Sequence, residues 1–241
     1  MASLTFLGTG NFLAPGRYWN SFVIDGTVLV EPSPIALPHL RRCHVPVEDL
    51  DAIVISHFHA DHTFGWPFLL LELLLRRQGR PLFVVGPPDV EDFLADMLRL
   101  AGVPDIANAS RELLDLRYVE VDGSWQEAGL LRFRAVEVDH VAHLRCFGYV
   151  FDRGGRIVGY SGDTRPCTGL DELAGASDVL VLECNGPHPP PPAHMDVDSV
   201  SALRARFPRV PFVLTHLGPD VDASGIPDVT VPEDFQTLAD V

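Results

Sequence analysis

Four side chains that bind metals well, His57, His59, Asp61 and His62, fall within the seven-residue stretch Ser56-His57-Phe58-His59-Ala60-Asp61-His62. Imidazole and carboxylate together suit zinc, manganese or iron. Four donors so close in sequence point in different directions along the backbone. A pair of ions sharing the segment is therefore more natural than one, and a two-metal site needs further ligands from elsewhere. Candidates follow apolar runs downstream: His140 after 133–138, Asp163 after 157–160 and His216 after 212–215. Each is ordinary alone, since a histidine at a strand's end is usually no ligand and an aspartate beside a glycine is usually a turn.

The elements that must position these residues can be read from the same sequence. The run 52–55 is apolar and leads straight into the histidine cluster. It reads as a buried strand, which puts the cluster in the loop past a strand's end, where α/β proteins place their chemistry. Residues 4–7 form a strand ending at Gly8-Thr9-Gly10, a turn rather than a phosphate cradle, because no Gly-Lys-Ser/Thr follows. Segments 20–25 and 27–31 read as a hairpin turning at Asp25-Gly26. A short basic helix ends near Cys43, with His39 and His44 expected at the surface. Pro67 and Gly79 bound a core helix, 81–86 is a strand, and Asp89 and Gly102 bound a second helix.

Strands are expected at 117–121 and 131–138 around a turn at Asp122-Gly123, and at 147–152 and 156–161 around Gly154-Gly155. A strand over 178–183 ends in Glu183. The proline tract 187–192 is extended and stiff, a spacer or a lid. Asp196 or Asp198 caps a helix running to Phe207, 210–215 is the last strand, and 233–240 is expected to close the chain as a short helix. No linker interrupts the alternation. It predicts one domain over residues 1–241, a layered α/β sandwich with the site along one edge.

The chain has 241 residues, enough for a substantial core, and 46% of them are hydrophobic. Lys and Arg total 18 against 33 Asp and Glu, a net charge of −15. Such a charge disfavours a long nucleic-acid footprint. Cys43, Cys146, Cys167 and Cys184 show no Cys-x-x-Cys spacing, so four reduced thiols are expected rather than a cysteine zinc site. The N-terminal segment lacks the pattern of a signal peptide, and the most apolar helix candidate, 66–75, is too short to span a bilayer and carries Glu72. The expectation is a cytoplasmic protein with no membrane partner.

His-x-His-x-Asp-His resembles the signature of the metallo-β-lactamase-fold hydrolases. The resemblance implies a four-layer αββα sandwich, with two mixed sheets face to face and helices outside. It implies that His57, His59 and His140 hold one divalent ion, that Asp61, His62 and His216 hold a second, and that Asp163 bridges them. The third histidine should precede an aromatic-Gly-Tyr strand, here Phe147-Gly148-Tyr149. Both His140 and His143 do so, and His140 is taken because it lies closer to the preceding strand's end. Phe6-Leu7-Gly8-Thr9-Gly10, Ser161-Gly162-Asp163-Thr164, Glu183 and His194 resemble the ribonuclease Z and phosphodiesterase branch, in which a glutamate-oriented histidine assists the leaving group. The resemblance runs over residues 6–216. Ribonuclease Z proteins carry a long arm that grips transfer RNA, whereas 152–156 is only a tight turn.

The expected activity is hydrolysis by a metal-bridging hydroxide, with Asp61, His194 and Glu183 as the catalytic residues and two divalent ions, zinc first, with manganese or iron as alternatives. The expected substrate is a phosphodiester of a small molecule or short nucleotide. The alternatives are a transfer-RNA 3′-processing endonuclease, a lactone or thioester hydrolase of the same fold, and a metal-binding accessory protein without turnover. Many relatives are dimers, which leaves a homodimer open.

Overall fold

The computed structural model describes residues 2–76, 79–186 and 193–241. The tract at 187–192, with His188, lies outside the described residues. The first sheet is built from β1 (Leu4–Gly8), β2 (Ser21–Ile24), β3 (Val28–Val30), β4 (Ala52–Val54), β5 (Leu82–Gly86) and β6 (Leu116–Glu120). The second holds β7 (Trp125–Ala128), β8 (Leu131–Val138), β9 (Cys146–Asp152), β10 (Ile157–Tyr160), β11 (Val179–Glu183), β12 (Phe212–Thr215) and β13 (Val229–Thr230). The chain then returns to the first sheet as β14 (Thr237–Leu238), beside β1. The strand orders are β14-β1-β2-β3-β4-β5-β6 and β13-β12-β11-β10-β9-β8-β7. Both sheets are mixed: β1 to β3 and β7 to β10 pair antiparallel, while β3 to β6 and β10 to β13 pair parallel.

Side-chain alternation along the strands builds the layers, because successive residues face opposite sides of a sheet. In β4, Ala52 and Val54 face the core between the sheets, while Ile53 faces the outer helices. In β11, Val179 and Val181 face inward, while Leu180 and Leu182 face outward. These strands read as unbroken apolar runs because both of their faces are covered. Helices α1 (Ala36–Arg42), α3 (Trp66–Arg76), α4 (Val90–Leu100) and α5 (Asp105–Leu114) cover the first sheet, and a single turn, α2 (Ala60–Thr63), follows the histidine cluster. Helices α6 (Thr168–Ala176) and α7 (Val197–Arg206) cover the second sheet. Each Leu or Phe fully buried in these layers contributes roughly 1.5–3 kcal/mol.

Several local expectations are corrected. The segment at 233–240 is not a helix. Phe235 and Asp240 have φ of 68° and 58°, and the Asp234 carboxylate accepts from the Thr9 and Tyr18 backbone N–H groups. Phe235 N donates to Phe6 O at 2.7 Å and Gln236 O accepts from Phe6 N at 2.9 Å, so these bonds and the β14 pairing use the backbone that a helix would need. His39 is buried rather than at the surface, with Nδ1 2.8 Å from the Leu7 carbonyl oxygen and its ring edge-on to Tyr18 and Phe235. The turn at Asp122-Gly123 does not pair its flanking strands. It carries the chain from β6 in one sheet to β7 in the other. Asp89 occupies the N-cap position of α4 with φ 68° and no side-chain cap. Asp196, rather than Asp198, caps α7 by accepting from Ser199 N at 2.7 Å. The Asp25-Gly26 turn has φ of 50° and 70°, as a type I′ hairpin requires. All four cysteines are free. Among the described residues no helix is long and apolar enough to cross a membrane.

Candidate metal centre

Strands from both sheets deliver their C-terminal ends to one edge of the sandwich. β4 leads to His57, His59, Asp61 and His62. β8 leads to His140, β10 to Asp163, and β12 to His216, while β11 ends at Glu183. Cross-sheet bonds hold this edge together. Tyr149 Oη donates to the Ile55 carbonyl at 2.7 Å, Phe147 N donates to Ser56 O at 3.0 Å, and Asn20 joins Tyr160 to Thr215.

Three imidazole nitrogens converge on one side. His59 Nδ1 lies 3.0 Å from His57 Nε2 and 3.3 Å from His140 Nε2. On the other side, His62 Nε2 and His216 Nε2 lie 3.5 and 3.6 Å from Asp61 Oδ2. Asp163 Oδ2 faces both groups, 3.4 Å from His62 Nε2, 3.5 Å from His216 Nε2, and 3.9 Å from His57 Nε2 and His140 Nε2. The structure thus brings all seven residues singled out in the sequence together. It takes His140 into the cluster and leaves His143 exposed.

This donor set fits divalent metal ions. Ligands about 2.0–2.1 Å from a tetrahedral ion stand about 3.3 Å apart, close to the spacings observed. His62 Nε2, His216 Nε2 and Asp163 Oδ1, all on side chains of the cluster, are buried without a hydrogen-bond partner. Buried polar atoms left unpaired cost too much to persist unless something else satisfies them.

A ring of outer contacts aims the histidines. The nitrogen turned away from the cluster meets Ser56 Oγ in His57 at 2.9 Å, the Ala193 carbonyl in His140 at 2.8 Å, and Asn185 in His216 at 3.2 Å. For His62 it meets the Glu31 carboxylate at 3.5 Å. Such contacts fix ring orientation and basicity at metal sites. Glu31 and Asn185 escaped the sequence reading. Glu31 looks like a strand's last residue, but it is fully buried with φ 59°, and its carboxylate accepts from Ser56 N. A charged residue ending an apolar strand was the only signal for it.

Electrostatics divide the cluster. Burial lowers the pKa of His57, His59 and His140, the last to about 4, so these rings stay neutral as metal ligands must. For His62, burial pulls the same way, but the carboxylates of Asp163, Asp61 and Glu31 outweigh it and raise the pKa. Burial pushes Asp163 up, and the surrounding histidines more than reverse it, holding the carboxyl well below its usual range.

His194 stands beside the cluster. Its Nδ1 is 3.1 Å from both Glu183 carboxylate oxygens and 3.9 Å from Asp163 Oδ2. Burial lowers its pKa, but the hydrogen bond and charge of Glu183 prevail and raise it. Glu183 is buried and also accepts from Thr164 N at 2.6 Å.

The family model described as the Beta-lactamase superfamily domain matches residues 26–217, and the chain belongs to that family. Among solved structures it is similar to the metallo-beta-lactamase fold protein YhfI from Bacillus subtilis, with TM-score 0.79, 17% identity and 98% of each chain covered. A diphosphatase from the PhnP family gives TM-score 0.78 at 21% identity over 99% of this chain and 97% of that one. The short form of human tRNase Z gives 0.77 at 21% identity over 98% of both. Ribonuclease BN from Salmonella gallinarum is 38% identical over 101 residues, which span 42% of this chain and 30% of that protein.

Proposed function

We propose that the chain, as a single domain, is a phosphodiester hydrolase working with two divalent ions, zinc first and manganese or iron as alternatives. His57, His59 and His140 would hold one ion, Asp61, His62 and His216 the other, with Asp163 facing both. The observation that carries this reading is the Glu183–His194 pair set beside the Asp163 carboxylate, with His194 Nδ1 3.1 Å from Glu183 and 3.9 Å from Asp163. Hydrolysis of a lactone or thioester would not need that pair. Loss of an alkoxide from phosphorus benefits from a proton donor.

Bound ions would supply an acidified water and positive charge opposite the oxygen that becomes anionic. The protein's own residues do the rest. Glu183 engages Nδ1 of His194 and favours the protonated ring, which leaves Nε2–H to protonate the departing oxygen. Asp61, with its side chain 18% exposed at the open side of the cluster, orients the attacking water. The buried histidines and Asp163 keep bulk water from the reacting group.

The favoured substrate is a small-molecule or short-nucleotide diester. The net charge of −15 supports this, as does the Arg153–Arg156 turn, which is closed by a 2.8 Å backbone bond where a long arm would be inserted. Transfer-RNA 3′ processing is the second reading, favoured by the partial similarity to Ribonuclease BN. The test is hydrolysis of bis(p-nitrophenyl) phosphate by zinc- and manganese-loaded protein beside a chelator-stripped control. Metal-dependent turnover is expected. Two bound ions without turnover would move the assignment to lactones or thioesters, or to an accessory protein if those are spared too.

A further inference from the structure

A cavity of about 750 Å³ opens directly beside the cluster, lined by Phe12, Trp19, Pro34 and Phe64 together with His59 and Asp61. Its volume lies within the range of small-molecule sites, which are mostly apolar with a few polar groups at one end. Phe12 and Phe64 are 63% and 52% exposed and meet at this one cavity, and exposed apolar side chains gathered in a patch mark binding sites where scattered ones do not. No lysine or arginine lines the cavity, so it is not built to track a phosphate backbone.

The loop carrying Phe12 and Trp19 is pinned to the cluster's own scaffold. Asn11 N donates to Leu217 O at 2.9 Å, and its side-chain amide donates to Asn185, the residue that contacts His216. Gly10 N donates to Tyr18 O at 2.7 Å and closes the loop. A Cβ on Gly10 would meet Arg17 Cβ at 2.7 Å, so the loop holds this shape only with glycine there. The aromatic wall is therefore set in place before any ligand arrives.

We propose that this cavity holds a flat aromatic group of nucleobase size on the substrate, stacked against Phe12, Trp19 and Phe64. This deepens the phosphodiesterase reading and rests on it for the reaction, though not for binding. Neither His194 nor Glu183 lines the cavity, so the stacked group sits away from the proton donor and belongs to the retained ester. The enzyme would then release the small alcohol and keep a nucleoside monophosphate as its last-held product.

Calorimetry on metal-loaded protein with adenosine 5′-monophosphate and ribose 5-phosphate tests the cavity without turnover. The adenosine compound should bind about tenfold tighter or more, the range for one stacked base. Phe12→Ala and Phe64→Ala should each shrink that ratio, and the exposure of both side chains leaves the core intact. Trp125→Ala, on the far edge of the second sheet, should keep it. Equal binding of the two ligands by the parent overturns the proposal. So does a preference that survives both phenylalanine variants, since the base would then be held elsewhere. In kinetics, thymidine 5′-(p-nitrophenyl) phosphate and methyl p-nitrophenyl phosphate share a leaving group, and the thymidine ester should have the lower KM. Base-dependent binding without turnover of either ester would keep the cavity and remove the phosphodiesterase reading.

Discussion

Asp163 concentrates the site into one side chain. Its Oδ2 lies within 3.9 Å of five histidine nitrogens, those of His57, His62, His140, His194 and His216. Asp163→Ala should lower the bound metal per chain, read by elemental analysis, and cost activity by more than the about 10–100-fold typical of an outer contact. His194→Ala should keep its metal. It should lose about 10²–10⁴-fold on alkyl esters and far less on p-nitrophenyl esters, whose leaving group needs no proton. Equal losses on both would count against the acid role. Acid stability follows from the buried neutral rings. Unfolded histidines take up protons near pH 6.5, whereas folded His140 does so only near 4. The unfolded chain binds more protons in that window, so this stabilisation is full above pH 6.5 and is lost as pH falls toward 4. In metal-free samples, His140→Asn should show a shallower fall of Tm between pH 6.5 and 4 than the parent.

At the scale of elements, short turns at strand ends hold the geometry. Gly162 carries β10 into Asp163 with φ 59°, and a Cβ there would lie 2.6 Å from the Phe147 carbonyl oxygen. Gly162→Ala should cost about 1–3 kcal/mol, seen as a Tm several degrees lower, with weakened metal retention because Asp163 shifts. The strands that carry the cluster were legible in the sequence because they are apolar on both faces and end in a polar residue. The Asp25-Gly26 hairpin was legible because both its residues accept positive φ. Helices α5 and α6 escaped: α5 interleaves its apolar positions Ile106, Ala109, Leu113 and Leu114 with Asn and Ser, which favour turns, and α6 contains Gly169 and Gly175 and is capped by a cysteine, Cys167. His39 was misplaced and Glu31 escaped for one reason. Each is a polar residue buried by partners distant in sequence, Leu7 and Ser56, that no local pattern announces.

At the scale of the whole molecule, charge separates the two nucleic-acid readings. With a net charge of −15, transfer RNA should bind only weakly at about 0.15 M salt, with little change on further salt addition, because few phosphate counterions would be displaced. A steep salt dependence in a filter-binding assay would instead favour the endonuclease reading.

The donors are divided between the sheets. His57 to His62 lie on the first, and His140, Asp163 and His216 lie on the second. A single backbone passage, residues 121–124, leads from β6 to β7. Cutting the chain there would divide both donor groups to which the 57–62 segment contributes, and β14 would reach back from the second fragment to pair with β1 of the first. Two such co-expressed fragments would share the apolar core between the sheets as well as the donors, so a bound ion would add to that core as a fastener between halves.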